Sequence, residues 1–301
     1  MLITYRSSEA AANAVASGIA QRGGDVLVAR ADLGTRAGCE ALVAEARERL
    51  GRLDGARTVV TGASSGIGAA IAEAFAAAGA TVLVTYRRSE AAARAVAGGI
   101  EGCGGRALVA RADLGTRAGC EALVAEARER LGGLDVWVNN AGADVLTGEE
   151  SGWDWERKLD LLLAVDLKGT IACSYAAGAV MRGQPAGGMI LNMSWDHVAS
   201  GMAGDNPELF SAVKGGVLAY SKSLARALAP EVRVNVLCPG WIETAFGERA
   251  DAGFRREVAE STPMRRWGTP ADVAAAALYL ASPEASFITG QAININGGVV
   301  M

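Results

Sequence analysis

A short β-rich run, Thr58-Val59-Val60-Thr61, leads straight into Gly62-Ala63-Ser64-Ser65-Gly66-Ile67-Gly68 and then into an Ala-rich stretch that reaches Ala78. No other segment limits the fold as tightly. A strand, a glycine turn and a helix in this order aim backbone N–H groups and a helix N-terminus at one point, the arrangement that receives a phosphate. Glycines at 62, 66 and 68 let the backbone approach closely. A glycine triplet alone is a weak signal, but this one has the strand before it and the helix after it. Downstream, Thr81–Tyr86 reads as a buried strand, Ser89-Glu90-Ala91-Ala92 as a helix start, and Gly104-Gly105 as a break before Ala107-Leu108-Val109-Ala110. Thr116–Leu131 reads as a second helix. This alternation predicts an α/β fold, a doubly wound parallel sheet with helices on both faces, Rossmann-like.

The front of the chain repeats part of this unit. Leu2–Asp54 matches Leu83–Asp135 with 43 of 53 positions identical, and Leu27–Gly51 matches Leu108–Gly132 without a break. The first copy has no counterpart of Thr58–Gly68 before it. Residues 1–55 are therefore read as a partial duplicate of residues 83–135 rather than an independent domain, and residues 56–301 as the complete nucleotide-binding domain.

Bulk properties narrow the function. The formal net charge of −4 argues against nucleic acid as a main partner. The longest apolar stretch, about Ala74–Tyr86, is broken at Gly79-Ala80 and is too short to span a bilayer, and Met1–Arg6 does not open a signal peptide. The five cysteines (39, 103, 120, 173 and 238) have no metal-ligand spacing and are read as reduced thiols, with no metal expected. A cytoplasmic protein with a small-molecule substrate, no nucleic acid and no membrane is the expectation.

Several landmarks stand in a fixed order. Thr61–Gly68 looks like the TGxxxGxG element of the short-chain dehydrogenase/reductase family. Asp113 and Leu114 follow the third strand, and Asn139-Asn140-Ala141-Gly142 is similar to the NNAG element. Arg233-Val234-Asn235, Pro239-Gly240 and Thr244 resemble the segment near the nicotinamide, and Ile295-Asn296-Gly297-Gly298 the closing strand. The resemblance implies a nicotinamide cofactor held by Gly62, Ser64, Ser65, Gly66, Ile67, Gly68, Asp113, Leu114, Asn140, Ala141, Gly142, Pro239, Gly240, Thr244 and Lys214. The second strand ends Tyr86-Arg87-Arg88. NAD-preferring members carry an acidic residue at the position of Tyr86. With none here, and with Arg87 and Arg88 beside it, NADP(H) is expected over NAD(H). The resemblance also implies a homodimer or homotetramer built on helices near Leu161–Met181 and Phe210–Leu228.

The family's chemistry uses Asn, Ser, Tyr and Lys, and here three of the four positions change. Lys214 is kept, but Phe210 stands at the tyrosine and has no hydroxyl to donate. The serine position falls on Trp195, with Ser194 one residue early, so Ser194 replaces it only if the strand end bulges. The asparagine position is Asp166. His197, the chain's only histidine, lies in Trp195-Asp196-His197 just past the strand end and is a candidate acid or base. Tyr220, ten residues past Phe210 on one predicted helix, would lie ~15 Å away, too far to substitute. Thr147–Trp155 and the loop Trp241–Trp267 are expected to shape the substrate pocket. Two functions compete. One is an NADP(H)-dependent oxidoreductase on a carbonyl or alcohol, similar in pattern to 3-oxoacyl-carrier-protein reductases. The other is a catalytically silent nucleotide-binding homologue acting as a sensor or partner subunit.

Overall fold

The computed structural model describes residues 2–5, 7–21, 26–31, 34–35, 52–146, 149–204, 207–245, 247 and 250–301. The chain divides into two compact units, Met1–Arg52 with Ser282–Glu284, and Leu53–Ala281 with Ala285–Met301. The first unit contains β1 (Leu2–Tyr5), α1 (Glu9–Ala20) and β2 (Leu27–Arg30). Its two strands pair in parallel, Leu2 opposite Leu27 and Tyr5 opposite Arg30. The second helix expected in this copy, residues 36–51, lies outside the described residues.

The larger unit runs β3 (Arg57–Val60), α2 (Gly66–Ala77), β4 (Thr81–Tyr86), α3 (Glu90–Gly102), β5 (Arg106–Arg111), α4 (Arg117–Leu131) and β6 (Val136–Asn139). It continues through α5 (Trp155–Leu162), a π-helical segment (Leu163–Gly169), α6 (Thr170–Arg182), β7 (Gly188–Met193), α7 (Pro207–Leu228) and β8 (Val232–Pro239). It ends with α8 (Ala252–Ser261), α9 (Pro270–Ala281) and β9 (Ala292–Ile295). The sheet has seven strands in the order β5-β4-β3-β6-β7-β8-β9, and each pair is parallel. Strands covered on both faces read as continuous apolar runs, and alternate side chains feed opposite cores. Val60, Val138 and Leu191 face a core with Ile71 and Phe75 of α2 and Ala277 and Leu280 of α9. Val59, Trp137 and Ile190 face the other, with Leu123 of α4, Met181 of α6 and Leu224 of α7.

The helical run Trp155–Arg182 has the length and mean hydropathy of a membrane-crossing helix. Here its α6 part is packed on the sheet through Cys173, Ala177 and Met181, a core helix of the α/β layers.

The larger unit starts at Leu53, three residues before Ala56. The Leu53 side chain is part of the α2 core, and its N–H donates to the carbonyl of Ala78 at 2.8 Å.

Two nearly identical segments could supply the strands beside β3, and the sheet takes β4 and β5 from the second copy. One of the positions where the copies differ bears on this choice. The Arg57 guanidinium grips Asp135 as a fork, Nε to Oδ2 at 2.8 Å and Nη2 to Oδ1 at 2.6 Å, and its Nη1 donates to the Gly132 carbonyl at 2.7 Å. Gly133 lies against that guanidinium with φ 149°, where a Cβ would collide with it. The first copy carries Arg52 at the equivalent position. A side chain there would break the fork that ties the start of β3 to the start of β6.

Because the seven-stranded sheet draws nothing from β1 or β2, deleting residues 1–52 is expected to leave its far-UV circular dichroism and thermal midpoint intact. Solubility should rise as the apolar strands of the small unit are removed. A truncated protein that fails to fold would show that the sheet depends on the first copy.

Candidate active site

The turn after β3 is held by the segment after β6. Thr61 Oγ1 donates to the Val138 carbonyl at 3.1 Å and accepts from the N–H groups of Asn140 (2.9 Å) and Ala141 (3.0 Å). Asn140 Nδ2 donates back to the carbonyls of Thr61 (2.9 Å) and Gly62 (3.1 Å). This closeness explains the glycines. A Cβ on Gly62 would lie 2.8 Å from Ala141 Cα, and one on Gly68 would strike the Gly62 carbonyl and the Asn140 amide. Gly62 and Gly66 also adopt φ of 62° and 57°, left-handed values that favour glycine. Thr244 sits across the turn, its Cγ2 3.6 Å from where a Gly66 Cβ would be. Ser65 starts α2 without a side-chain cap, so the first-turn amides remain open to a ligand. Ser64 and Ser65 line this opening, while Ile67 packs into the core. The cradle fits a dinucleotide phosphate.

Behind it lies a buried amide network that the sequence did not signal. Trp137 Nε1 donates to Asn139 Oδ1 at 2.7 Å, and Asn139 Nδ2 donates to Asn192 Oδ1 (2.8 Å) and Ser174 Oγ (2.9 Å). Asn192 Nδ2 donates to Ser221 Oγ at 2.8 Å. The network joins β6, β7, α6 and α7 with each amide satisfied.

At the end of β4, Arg87 and Arg88 flank the corner where a ribose would lie. Arg88 reaches Glu150 at 3.4 Å and stays largely exposed. Among the described residues the Arg87 guanidinium has no carboxylate partner. Arg111, opposite Tyr86 on β5, donates from Nε to the Arg87 carbonyl at 3.2 Å and adds a third guanidinium to this corner. Its strand register marks it, but it belongs to no motif. Glu90, just after the corner, is held by Arg94 at 2.8 Å; that hydrogen bond, then the Tyr86 hydroxyl, keeps its pKa below the ordinary range. Asp113 Oδ1 accepts from the Gly115 N–H at 3.0 Å and shapes the turn after β5, and Leu114 is buried beneath it.

Asp166, Trp195, Phe210 and Lys214 come together. Asp166 sits on the π-helical segment, an irregularity common at functional sites. Its Oδ1 accepts from the Ala143 N–H at 2.8 Å, just after Gly142. Its Oδ2 is 2.8 Å from Lys214 Nζ, and the side chains are 1% and 6% exposed. The ammonium lies off the line of a hydrogen bond to Oδ2, so the contact is ionic rather than directional. Lys214 Nζ also approaches the Met193 carbonyl at 3.4 Å and sits 5.4 Å from the centre of the Phe210 ring.

Ser194 does not take over the serine's place. The backbone stays in register, with Ser194 N–H donating to the Leu237 carbonyl, and the buried hydroxyl donates to the Lys214 carbonyl at 2.9 Å. No bulge turns it toward Phe210. Trp195 fills that space, its ring edge-on to Phe210 at 5.4 Å and 5.1 Å from the His197 imidazole. His197 Nδ1 is 2.7 Å from Asp196 Oδ1, and Asp196 Oδ2 accepts from Asn296 Nδ2 at 3.1 Å. Pro239 closes β8, and Gly240 passes directly against Asp196 and Asn296. Tyr220 donates to the Ile171 carbonyl at 3.3 Å, and burial pushes its hydroxyl well above the ordinary range. Of the expected pocket loops, Trp241, Phe254 and Trp267 form one aromatic cluster, with Trp267 buried and bonded to the Arg255 carbonyl. Thr147 and Gly148 lie outside the described residues. Among the described residues no group of three or more His, Cys, Asp or Glu could hold a metal.

A clamped glycine turn at the carboxyl ends of a seven-stranded parallel sheet defines a dinucleotide-binding α/β domain. The family model described as enoyl-(acyl carrier protein) reductase matches residues 62–300. A 3-oxoacyl-[acyl-carrier-protein] reductase of Synechocystis is 36% identical, over 81% of this chain and 96% of that protein. Among solved structures, a short-chain dehydrogenase from Burkholderia cenocepacia in complex with NADP is 34% identical with a TM-score of 0.74, covering 82% of this chain and 99% of that one. A 7α-hydroxysteroid dehydrogenase complexed with NADH and 7-oxo glycochenodeoxycholic acid is 31% identical with a TM-score of 0.75, covering 83% and 96%. The chain belongs to the short-chain dehydrogenase/reductase family of oxidoreductases.

The Asp166–Lys214 pair yields a stability prediction. Removing one member of a buried pair strands a charge, a loss of about 3–5 kcal/mol. Lys214→Met should therefore lower the urea midpoint sharply, and adding Asp166→Asn to it should recover much of the loss. Additive losses in the double variant would show the pair is not coupled.

Proposed function

We propose that the protein is an NADP(H)-dependent oxidoreductase that interconverts a carbonyl and an alcohol on a small or acyl substrate. The observation that carries this reading is the intact cofactor cradle, Gly62–Gly68 clamped by Asn140 and bordered by Arg87, Arg88 and Arg111. Ser64, Ser65, Ile67, Asn140, Ala141 and Gly142 hold the phosphates and the adjoining ribose, Asp113 and Leu114 border the adenine, and Pro239, Gly240 and Thr244 border the nicotinamide. The bound nicotinamide supplies or accepts the hydride. Lys214 would meet the nicotinamide ribose with its charge already balanced by Asp166.

A catalytically silent nucleotide-binding homologue is the second reading, favoured by Phe210 and by Trp195 in the serine's place. NADPH consumption against a panel of ketones separates the two, because binding without turnover supports the silent protein.

Cytoplasmic placement and a homodimer or homotetramer belong to the same proposal. A cavity of about 630 Å³ between the start of α4 and the π-helical segment, lined by Leu114, Thr116, Lys168 and Tyr175, lies on the α6 side rather than at the nicotinamide end. Tyr175 is exposed there and packs edge-on against Tyr220 at 5.7 Å, a surface suited to a second subunit.

The arginine corner sets the cofactor preference. A charge-assisted hydrogen bond to the 2′-phosphate contributes about 1.5–3 kcal/mol, so NADPH should bind roughly 10- to 100-fold more tightly than NADH. Arg87→Asp should narrow or reverse that gap in a fluorescence titration. Equal affinities in the unmutated protein would overturn the preference.

A further inference from the structure

Phe210 leaves the site without its hydroxyl, and the remaining groups must supply a proton if a carbonyl is to be reduced. Lys214 is engaged by Asp166 at 2.8 Å, and the Ser194 proton is engaged by the Lys214 carbonyl. We propose that His197, oriented by Asp196, is the proton-transferring group of this site, an assignment that rests on the oxidoreductase reading above.

His197 lies on the short 3₁₀ turn Asp196–Val198, directly after β7. Ligands of open α/β sheets bind at these strand ends. The Asp196 side chain is fully buried, and its two oxygens are divided between His197 Nδ1 and Asn296 Nδ2. Asn296 follows β9, so the carboxylate is braced from a strand two places away across the sheet. A carboxylate only accepts hydrogen bonds, so Nδ1 carries the hydrogen that faces it and Nε2 is the nitrogen that gains and loses a proton. Orientation of an imidazole by a buried carboxylate is the arrangement in which a histidine works as acid and base.

The surroundings tie this dyad to the rest of the candidate site. A Cβ on Gly240 would lie 2.9 Å from Asp196 Oδ2 and 2.7 Å from Asn296 Cβ, so only glycine lets the segment bordering the nicotinamide pass here. The Trp195 ring lies 5.1 Å from the imidazole at 32° and meets Phe210 edge to face at 5.4 Å. One aromatic wall thus runs from His197 to the ring above Lys214. The imidazole keeps 12% of its surface exposed, which gives its proton a route to solvent.

In the reductive direction, the carbonyl carbon gains the hydride and its π pair moves onto oxygen. That oxygen takes the proton from Nε2, which leaves a neutral imidazole still donating from Nδ1 to Asp196. Water returns the proton to Nε2. Alcohol oxidation runs the same transfers in reverse, with Nε2 accepting.

The chain has a single histidine, which makes the test direct. His197→Asn keeps an N–H at the Nδ1 position and so keeps any bracing of Asp196, but it cannot transfer a proton. NADPH should bind this variant as tightly as the unmutated protein, while reduction of a panel of small ketones and β-keto esters falls by ~10²–10⁴-fold. Carbethoxylation of the lone imidazole by diethyl pyrocarbonate should be several-fold slower with NADPH bound. Turnover that survives in His197→Asn, or a modification rate indifferent to NADPH, overturns the assignment alone. NADPH binding with no ketone reduced by the unmutated protein overturns the oxidoreductase reading, and this assignment with it.

Discussion

The Thr61 hydroxyl is the joint on which the site depends. It donates to a carbonyl of β6 and accepts the two N–H groups that follow that strand, so the ends of β3 and β6 meet at one atom. That closeness forces glycine at 62 and 68 and brings Asn140 against the turn. It also positions the segment after Gly142, whose Ala143 N–H holds Asp166. Asp166 in turn meets Lys214. Cofactor cradle and catalytic position are thus consecutive links of one chain of polar contacts, each restricting the geometry of the next.

Within this frame lies a buried ion pair, the Asp166 carboxylate against the Lys214 ammonium. Burying two charges costs desolvation energy that their attraction repays only with good geometry. A short contact and an additional backbone donor to Asp166 meet part of that requirement. On the other side Trp195 and Phe210 meet edge to face, an aromatic wall with the His197–Asp196 pair at one end.

Much of this was legible in the residues. The order of strands and helices and the glycine turn follow from local patterns, and the motif order marked Asn140 and Lys214 as residues to locate. Other features were hidden because they depend on contacts distant in sequence. Arg111 joins the arginine corner only through its register with Tyr86. The Asn139–Asn192–Ser221 network reads as scattered polar residues until three elements meet. Ser194 could be placed only when its hydroxyl was seen bonded to the helix behind it. The Asn296 brace on Asp196 spans a hundred residues.

The matched halves bear on how the chain reaches its fold. β1 pairs with β2 in the same register as β4 with β5, Leu2 with Leu27 as Leu83 with Leu108. During synthesis the first half emerges before the strand it would have to flank, and domains acquire structure in the order they leave the ribosome. When β3 appears, one candidate partner has already been made and another, almost identical, is still to come. The folding landscape therefore holds two minima that local preferences barely separate. Arg52 against Gly133 is one difference that bears on the choice, because a side chain at that position of the sheet would collide with Arg57. Placed beside β3, the earlier copy would meet a steric veto where the later one fits.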